Sequence, residues 1–326
     1  MPLHDSYGRT VNYLRLSVTD RCNLRCTYCM PAKGIHAIHH TNILSYEELL
    51  QVAEAAVAIG VEKIRVTGGE PLVRKGIIHF LERLACIPGL QRLVLTTNGT
   101  LLPEMAAELR CAGVDGLNIS LDSLCPNTFA GITRGGDMHK VLKGIEAAER
   151  AGFQQIKINV VVMRGVNDDE IVDFAALTLD RPYRVRFIEY MPTLQDDAWK
   201  TRIMTGEEVL ERLSRKFELR SAGRETMAGP ATYYQIAGAA GMIGVITPIS
   251  CHFCNDCNRI RVTSTGVAKS CLFSTETCNL RPFINAGDDQ ALRDALRSVV
   301  NGKPKRHDIC DSGRHHAILP MSRVGG

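Results

Sequence analysis

The chain has 326 residues and a formal net charge of +4, with 45% hydrophobic and 23% charged residues. This is an ordinary globular composition for about two domains, or for one large α/β barrel with an appendage. The charge is too small to indicate nucleic-acid binding, and no apolar run approaches the roughly 18 residues of a membrane span. The amino terminus has no charged region followed by an apolar stretch, so we expect no signal peptide, a cytoplasmic location and a reducing environment.

Strand-like and helix-like segments alternate along roughly the first 190 residues. We predict strands at 13–19, 63–67, 92–96, 116–120, 156–162 and 183–190, and helices at 45–59, 77–86, 103–111, 140–151 and 168–178. Strands separated by single helices predict a parallel sheet with right-handed crossovers. Six such units form an incomplete (β/α)6 barrel of the TIM type, with its active site on the loops that follow the strands.

The pattern changes after about residue 195. A capped helix is predicted at 205–215, followed by short strands at 232–236, 242–247 and 259–263, and the basic end at 302–316 is predicted to be a loop. We therefore divide the chain into a partial barrel at 1–195 and a smaller C-terminal α+β segment at 196–326 that is predicted to pack on the barrel.

A first cysteine cluster directly follows the first predicted strand. Cys22, Cys26 and Cys29 have the spacing C-x3-C-x2-C. In a reducing compartment, closely spaced cysteines indicate a metal site or catalysis rather than disulfides. Three thiolates can hold three irons of a cubane cluster and leave the fourth iron open to a small molecule. The alternative is a structural zinc site, which more often pairs two C-x2-C units or adds histidine.

A second cysteine cluster, Cys254-x2-Cys257-x13-Cys271, lies in the C-terminal segment. Arg259 and Arg261 follow Cys257 at alternating positions of a predicted strand, so they point to the same side. Two guanidinium groups beside an open-sided cluster would suit a base edge or an anion, whereas the alternative is a solvated face.

The other six cysteines are interpreted as bystanders. Spacing alone would allow Cys251 to be a fourth ligand of the second cluster, but it would then block the open iron. Cys278 is treated in the same way. The scattered cysteines, interpreted as structural thiols, are Cys86, Cys111, Cys125 and Cys310.

A short glycine motif, Gly68-Gly69-Glu70-Pro71, follows the second predicted strand. Together with the first cysteine cluster and its aromatic Tyr28, it resembles the radical S-adenosylmethionine (SAM) superfamily. The resemblance implies a [4Fe–4S] cluster on Cys22, Cys26 and Cys29 that binds SAM, while two glycines let the backbone approach a ligand closely. The residues that match SAM contacts are Tyr28, Gly68, Gly69, Glu70, Ser120 and Met191.

Within that superfamily, the whole chain resembles the GTP 3′,8-cyclase family of molybdenum cofactor biosynthesis. The shared segments are 15–22, 96–99, 118–122, 186–191, 253–273 and the closing double glycine. The resemblance implies a second [4Fe–4S] cluster on Cys254, Cys257 and Cys271, whose open iron meets the guanine. The residues that match or adjoin GTP contacts are Arg15, Lys63, Arg65, Thr96, Lys157, Arg186, Arg259, Ile260, Arg261, Gly325 and Gly326.

Phosphate binding is expected to use side-chain cations. The chain has no G-x4-G-K-[ST] loop, so a triphosphate cannot rest on a glycine cradle of that type. Arg15, Lys63, Arg65, Lys157 and Arg186 all lie on or beside predicted barrel strands. For Lys63 and Arg186 the alternative is a structural ion pair. For the double-glycine tail, implied to enter the active site, the alternative is a frayed terminus.

The family resemblance also implies a reaction. An outside donor such as flavodoxin or ferredoxin reduces the first cluster, SAM is cleaved, and the radical removes hydrogen from the 3′ carbon of GTP. The sugar radical then attacks carbon 8 of guanine, with Arg15, Arg259 and Arg261 as catalytic residues. The product is expected to pass to cyclic pyranopterin monophosphate synthase, and a homodimer is expected. The rival hypotheses are a radical SAM enzyme that modifies a peptide, and a non-catalytic zinc module.

Overall fold

The structure, a computed structural model, describes residues 2–36, 38–192, 198–223, 229–307 and 321–324. Its strands are β1 Tyr13–Ser17, β2 Lys63–Thr67, β3 Arg92–Thr97, β4 Gly116–Ser120, β5 Ile156–Val162, β6 Arg184–Glu189, β7 Leu219–Ser221, β8 Thr232–Ile236, β9 Met242–Ile246, β10 Arg259–Val262, β11 Val267–Lys269 and β12 Cys278–Asn279. Its helices are α1 Tyr46–Ala58, α2 Ile77–Ala85, α3 Leu102–Cys111, α4 Pro126–Thr133, α5 Met138–Arg150, α6 Ile171–Asp180, α7 Ala198–Arg202, α8 Gly206–Ser214, α9 Arg281–Asn285, α10 Asp289–Asn301 and α11 Met321–Val324.

The strands of the described residues form one sheet, in the order β12-β11-β10-β1-β2-β3-β4-β5-β6-β9-β8-β7. Neighbouring strands from β10 to β9 are parallel, and antiparallel pairs complete both edges. Strands β12 and β7 end the order on opposite sides, so the sheet does not close. The predicted fold class, an incomplete barrel of the TIM type with a C-terminal α+β extension, is confirmed.

The C-terminal extension joins the barrel sheet at both edges. Strand β10 pairs in parallel with β1, and β9 pairs in parallel with β6. We predicted a segment packed on the barrel, whereas its strands continue the sheet itself. The division between residues 195 and 196 stays a prediction.

The two faces of the barrel strands differ in polarity. Leu14 and Leu16 on β1 are fully buried in the apolar core, where the helices cover the sheet. Arg15 lies between them and therefore points to the other face. Sheets of parallel strands are usually apolar on both faces because both are covered. A face that carries buried cations instead indicates a lumen with a function.

All six predicted helices are present, with ends that differ by a few residues, and two have the predicted type of cap. Ser45 Oγ accepts a hydrogen bond from Glu48 N at 3.1 Å, and Glu48 returns one from its carboxylate to Ser45 N at 2.6 Å. Thr205 caps α8 in the same way. Helices α4, α7, α9, α10 and α11 were not predicted. Among the described helices, none combines the length and the apolar character that a membrane crossing requires.

Candidate active site

Both cysteine triplets open into one cavity. It encloses about 1770 Å³, part of it open to solvent. The cysteines that line it are Cys22, Cys26, Cys29, Cys254, Cys257 and Cys271. The cysteines of both predicted cluster sites therefore border one shared chamber.

Hydrogen bonds to the sheet hold the loop of the first triplet. Tyr28, next to Cys29, donates from its hydroxyl to Asp122 Oδ2 at 2.7 Å, and Val161 N donates to Asp122 Oδ1 at 2.8 Å. On the other side of the loop, Asn98 Nδ2 donates to Cys22 Sγ at 3.8 Å. Burial raises the pKa of Asp122 to about 6, although both hydrogen bonds oppose the shift. Asp122 was not predicted as a site residue.

The loop that carries the first cysteine triplet packs so closely against Gly68 and Gly69 that no side chain fits at either position. A Cβ at Gly68 would lie 2.7 Å from the carbonyl oxygen of Thr19, and one at Gly69 would meet the backbone of Arg21. Gly69 N also donates to Thr19 O at 2.7 Å. The glycines therefore bring two loops together at the edge of the cavity, where both also form part of its wall.

Glu70 organises loops rather than facing the cavity. Its carboxylate accepts hydrogen bonds from Leu72 N at 3.0 Å, Thr97 Oγ1 at 2.9 Å and Asn98 N at 2.6 Å. It is fully buried, and burial raises its pKa to about 7. Glu70 does not line the cavity, and its predicted role in SAM binding stays a prediction.

The donor chemistry of the first triplet fits a cluster. Burial raises the pKa of the Cys22 thiol to about 11, and it also raises that of Cys26 well above its ordinary value. These thiols are protonated when alone and must lose protons to bind iron. Among the described residues, no group of three Cys, His, Asp or Glu converges where one metal ion could sit. The ligands of a cubane each bind a different iron, so the three thiols of this triplet can hold three irons of a cluster.

The second triplet lies beside cations. Burial opposes ionisation of Cys257, but Arg259 and Lys303 outweigh it and lower the pKa of this thiol to about 7. Cys254 begins a short 3-10 helix, and Cys271 follows β11. Three thiols, one of them readily ionised, fit a [4Fe–4S] cluster with one open iron.

A row of three arginines crosses the cavity wall. In the parallel register, Arg15 on β1 pairs with Arg261 on β10 and with Arg65 on β2. Neighbouring strands are about 4.8 Å apart, so three like charges stand side by side. Burial and the neighbouring Arg259 lower the pKa of Arg261 to about 10, and burial with Arg261 and Arg65 lowers that of Arg15. The folded protein therefore disfavours these charges until an anion is present.

Several buried polar atoms of the cavity wall have no hydrogen-bond partner among the residues that the structure describes. They are Arg65 Nε, Arg186 Nε, Thr96 Oγ1 and Asn159 Oδ1. The two guanidinium nitrogens need acceptors, while the amide oxygen needs a donor. A ligand that carries both anionic oxygens and hydroxyl groups, as a nucleotide does, can supply each. Arg186 is oriented by its hydrogen bond to Asn118 Oδ1 at 2.6 Å, which is not an ion pair.

Most predicted site residues face this cavity. Besides the six cysteines, those that line it are Arg15, Tyr28, Arg65, Gly68, Gly69, Thr96, Ser120, Arg186, Met191, Arg259 and Arg261. Lys63, Lys157 and Ile260 do not line it. Ile260 is fully buried in the apolar core, so only its backbone could meet a ligand. Gly325 and Gly326 lie outside the described residues, although the preceding Met321 lines the cavity.

The bystander cysteines lie away from the cavity lining. Cys251 is exposed and does not line the cavity, and Cys278 packs partly buried against the core. Cys86, Cys111 and Cys125 are exposed, so the interpretation as buried structural thiols is wrong for these three. Cys310 lies outside the described residues.

The sequence matches known families over most of its length. Residues 16–178 match the radical SAM superfamily, and residues 183–309 match a family described as Molybdenum Cofactor Synthesis C. A GTP 3′,8-cyclase from Geobacter sulfurreducens is 59% identical over the full length of both chains. One from Alkaliphilus oremlandii is 43% identical over 99% of this chain and 100% of its own. The chain belongs to the GTP 3′,8-cyclase family. It is therefore a radical SAM enzyme of molybdenum cofactor biosynthesis that uses SAM and [4Fe–4S] clusters.

Solved structures support the fold of this GTP 3′,8-cyclase family member. Streptococcus suis SuiB bound to S-adenosylmethionine has a TM-score of 0.58 and 15% identity, covering 88% of this chain and 68% of that one. SuiB bound to its precursor peptide SuiA has a TM-score of 0.59 and 14% identity, covering 90% of this chain and 68% of that one. At such low identity the likeness shows the fold alone.

Proposed function

We propose that this chain converts GTP to (8S)-3′,8-cyclo-7,8-dihydroguanosine 5′-triphosphate, the first step of molybdenum cofactor biosynthesis. The observation that carries the proposal is the single cavity into which both cysteine triplets open, with a row of arginines between β10 and β2. When bound, the reduced first cluster and SAM supply a carbon radical. The remaining task of the protein is to hold GTP so that its ribose lies within reach.

The residues of the wall divide the work. Ser120 and Met191, with the Gly68-Gly69 loop, lie on the side of the first triplet and are proposed to hold SAM. On the other side, Arg259 and Arg261 follow Cys257 and are proposed to hold the guanine beside the second cluster. The triphosphate is proposed to lie against cations of β1, β2, β5 and β6.

Arg15 connects the two proposed ligand sites. It stands between Arg65 and Arg261 in the sheet register, on the strand that leads into the first cysteine loop. A guanidinium there is placed to stabilise the electron-rich base once the ring has closed. The buried cavity wall keeps other hydrogen donors away from the radical.

Partners and location extend this proposal. The substrate is GTP, and the product is proposed to pass to cyclic pyranopterin monophosphate synthase. A flavodoxin or ferredoxin is the proposed electron donor, and a homodimer is the proposed assembly. A cytoplasmic location is proposed because two clusters with open irons require reducing conditions.

The test is anaerobic product analysis with GTP, ATP, ITP and a peptide as candidate substrates. We expect 5′-deoxyadenosine and a cyclised, dephosphorylation-sensitive guanosine product only with GTP. ITP lacks the exocyclic amino group, so it tests recognition of the base by the second cluster. Equal turnover of all nucleotides, or product from the peptide alone, would refute the assignment.

Lys157 provides a prediction about pH. Burial, with Arg186 and Lys63, lowers its pKa to about 6 from the ordinary 10.5, so it is mostly neutral at pH 8 in the free protein. Bound triphosphate would raise this pKa, so GTP binding should take up a proton. Between about pH 7.5 and 9 we expect this site to weaken GTP affinity by up to about tenfold for each unit of rising pH. The free energy of unfolding of the ligand-free protein should instead rise with pH over this range, because Lys157 binds more protons in the unfolded state than in the folded state.

The matched variant is Lys157→Met, compared with wild type by titration calorimetry with GTP over that pH range. Lys63 also titrates there, because burial lowers its pKa to about 8. Each protein gives a slope of log GTP affinity against pH. The difference between the slopes of wild type and Lys157→Met therefore measures the contribution of Lys157. Identical slopes would mean that the triphosphate lies too far from Lys157 to raise its pKa.

A further inference from the structure

A buried lysine behind the second cysteine triplet has no role in the reaction described above. Lys303 follows α10 and is only 3% exposed. A buried ammonium is costly unless all three of its donors find acceptors. Lys303 does not line the cavity, so it does not serve as a further contact for GTP.

Lys303 connects the chain segments that carry two of the cysteines. Its ammonium donates to the carbonyl oxygen of Arg259 at 2.9 Å and to that of Ser270 at 2.7 Å. The Cys257 side chain is a further hydrogen-bond partner. Ser270 directly precedes Cys271, so this one cation binds both the segment that carries Cys257 and the segment that carries Cys271.

A second cation holds the remaining ligand segment. The Arg9 side chain is 8% exposed and donates to the carbonyl oxygen of Cys254 at 2.7 Å. The same guanidinium donates at 2.8 Å to the carbonyl oxygen of Pro304, the residue that directly follows Lys303. The Asp5 carboxylate accepts a hydrogen bond from Arg9 Nε at 2.5 Å. The amino-terminal turn, the three cysteine segments and the chain after α10 therefore form one connected unit.

We propose that Lys303, held in place through Arg9, is the positioning residue of the second cluster and raises its reduction potential. This inference rests on the proposed second [4Fe–4S] cluster. A reduced cluster carries more negative charge than an oxidised one, so a fixed buried ammonium beside a ligand thiolate stabilises the reduced state. The hydrogen bonds to the two carbonyl oxygens also fix the strand from which Arg259 and Arg261 enter the cavity.

The experiment isolates the second cluster in the full-length chain. A background with Cys22, Cys26 and Cys29 replaced by alanine should hold only that cluster, about four irons per chain. Lys303→Met, Lys303→Arg and Lys305→Met are introduced there, and potentials are measured by anaerobic redox titration with electron paramagnetic resonance. Lys305 is the matched control, because it is exposed and only its carbonyl oxygen contacts Arg9.

We expect Lys303→Met either to load the cluster at a lower potential or to lose about four irons while the protein stays folded by circular dichroism. Lys303→Arg should restore iron and a potential close to that of the background, and Lys305→Met should change neither. A loaded Lys303→Met cluster at unchanged potential would overturn the proposal. So would loss of iron in Lys303→Met that Lys303→Arg does not restore. These readouts need no GTP turnover, so they stand apart from the test of the proposed function.

Discussion

Replacing Cys254, Cys257 or Cys271 by alanine is expected to abolish GTP cyclisation while leaving SAM cleavage in place. The first triplet follows the C-terminal end of β1, whereas Cys257 precedes the N-terminal end of the parallel strand β10, so loss of one triplet need not dismantle the other. Without the second cluster, the guanine loses its anchor and the 3′ carbon is no longer held within reach of the radical. Since orientation of bound reactants can supply about 7–11 kcal/mol of a barrier, turnover should fall below detection.

The measurement follows two products in the same anaerobic reaction. 5′-Deoxyadenosine reports SAM cleavage, and the cyclised nucleotide reports the coupled reaction. Iron should fall from about eight to about four per chain in each variant. Cys251→Ser is the matched control, because this cysteine neighbours the triplet in sequence but is exposed and outside the cavity lining. Cyclisation in Cys271→Ala, or iron loss in Cys251→Ser, would overturn the ligand assignment.

The barrel strands could be predicted from sequence because the signal is local. Strands β2, β4 and β5 have the predicted bounds, and the other barrel strands differ by at most a few residues at their ends. Alternating apolar side chains give the strands, and caps such as Ser45 give the helix starts. Both depend on residues within one turn or one strand.

The pairing at the edges of the sheet could not be predicted in this way. Strand β10 pairs with β1, near the opposite end of the chain, and β9 pairs with β6 across α7, α8 and two other strands. The periodicity of a strand shows which side chains share a face but not which strand lies next to it. A single sequence therefore predicts the C-terminal strands without predicting that they extend the barrel.

Helix α10 was not predicted either, but here the sequence does contain a helix pattern. Asp288 caps it by accepting from Ala291 N at 2.9 Å, and Leu292, Leu296 and Val299 recur at helical spacing on its buried face. The helix packs against α1 and covers the sheet beside β11. Attention to period 3.6 across 288–301 would have found it.

The site residues also differ in whether a local sequence pattern or only the fold reveals them. Cys22, Gly68 and Arg259 belong to short motifs, so the sequence alone indicates them. Lys303 does not, because it acts through backbone groups that only the fold brings near it, and Asp122 lies in the shared segment 118–122 but the role of its side chain depends on Tyr28 and Val161, which only the fold brings near it. A lysine that binds two distant carbonyl oxygens leaves no spacing rule in the sequence.

Arg15→Met is expected to weaken GTP binding strongly while the ligand-free protein becomes no less stable. Burial and the adjacent Arg261 and Arg65 lower the pKa of Arg15, which means that the folded state disfavours its charge. Methionine fills similar space without that charge, so the cost of burying it disappears. Loss of one buried partner of an anion costs about 2–5 kcal/mol, roughly a 30- to several-thousand-fold rise in Kd.

Thermal unfolding of the metal-free chain and calorimetry with GTP on the reconstituted enzyme measure the two effects separately. Arg15→Lys keeps a charge but loses the planar pair of donors, so it should bind GTP with intermediate affinity. Arg83→Met is the matched control, because Arg83 lies on α2 in an exposed pair with Glu47 at 3.6 Å and should leave both quantities nearly unchanged. If Arg15→Met instead lowered stability and left GTP affinity intact, the arginine row would be part of the scaffold rather than an anion site. The opposed signs follow from one cause, since the charge that makes the free cavity costly is the charge that GTP neutralises.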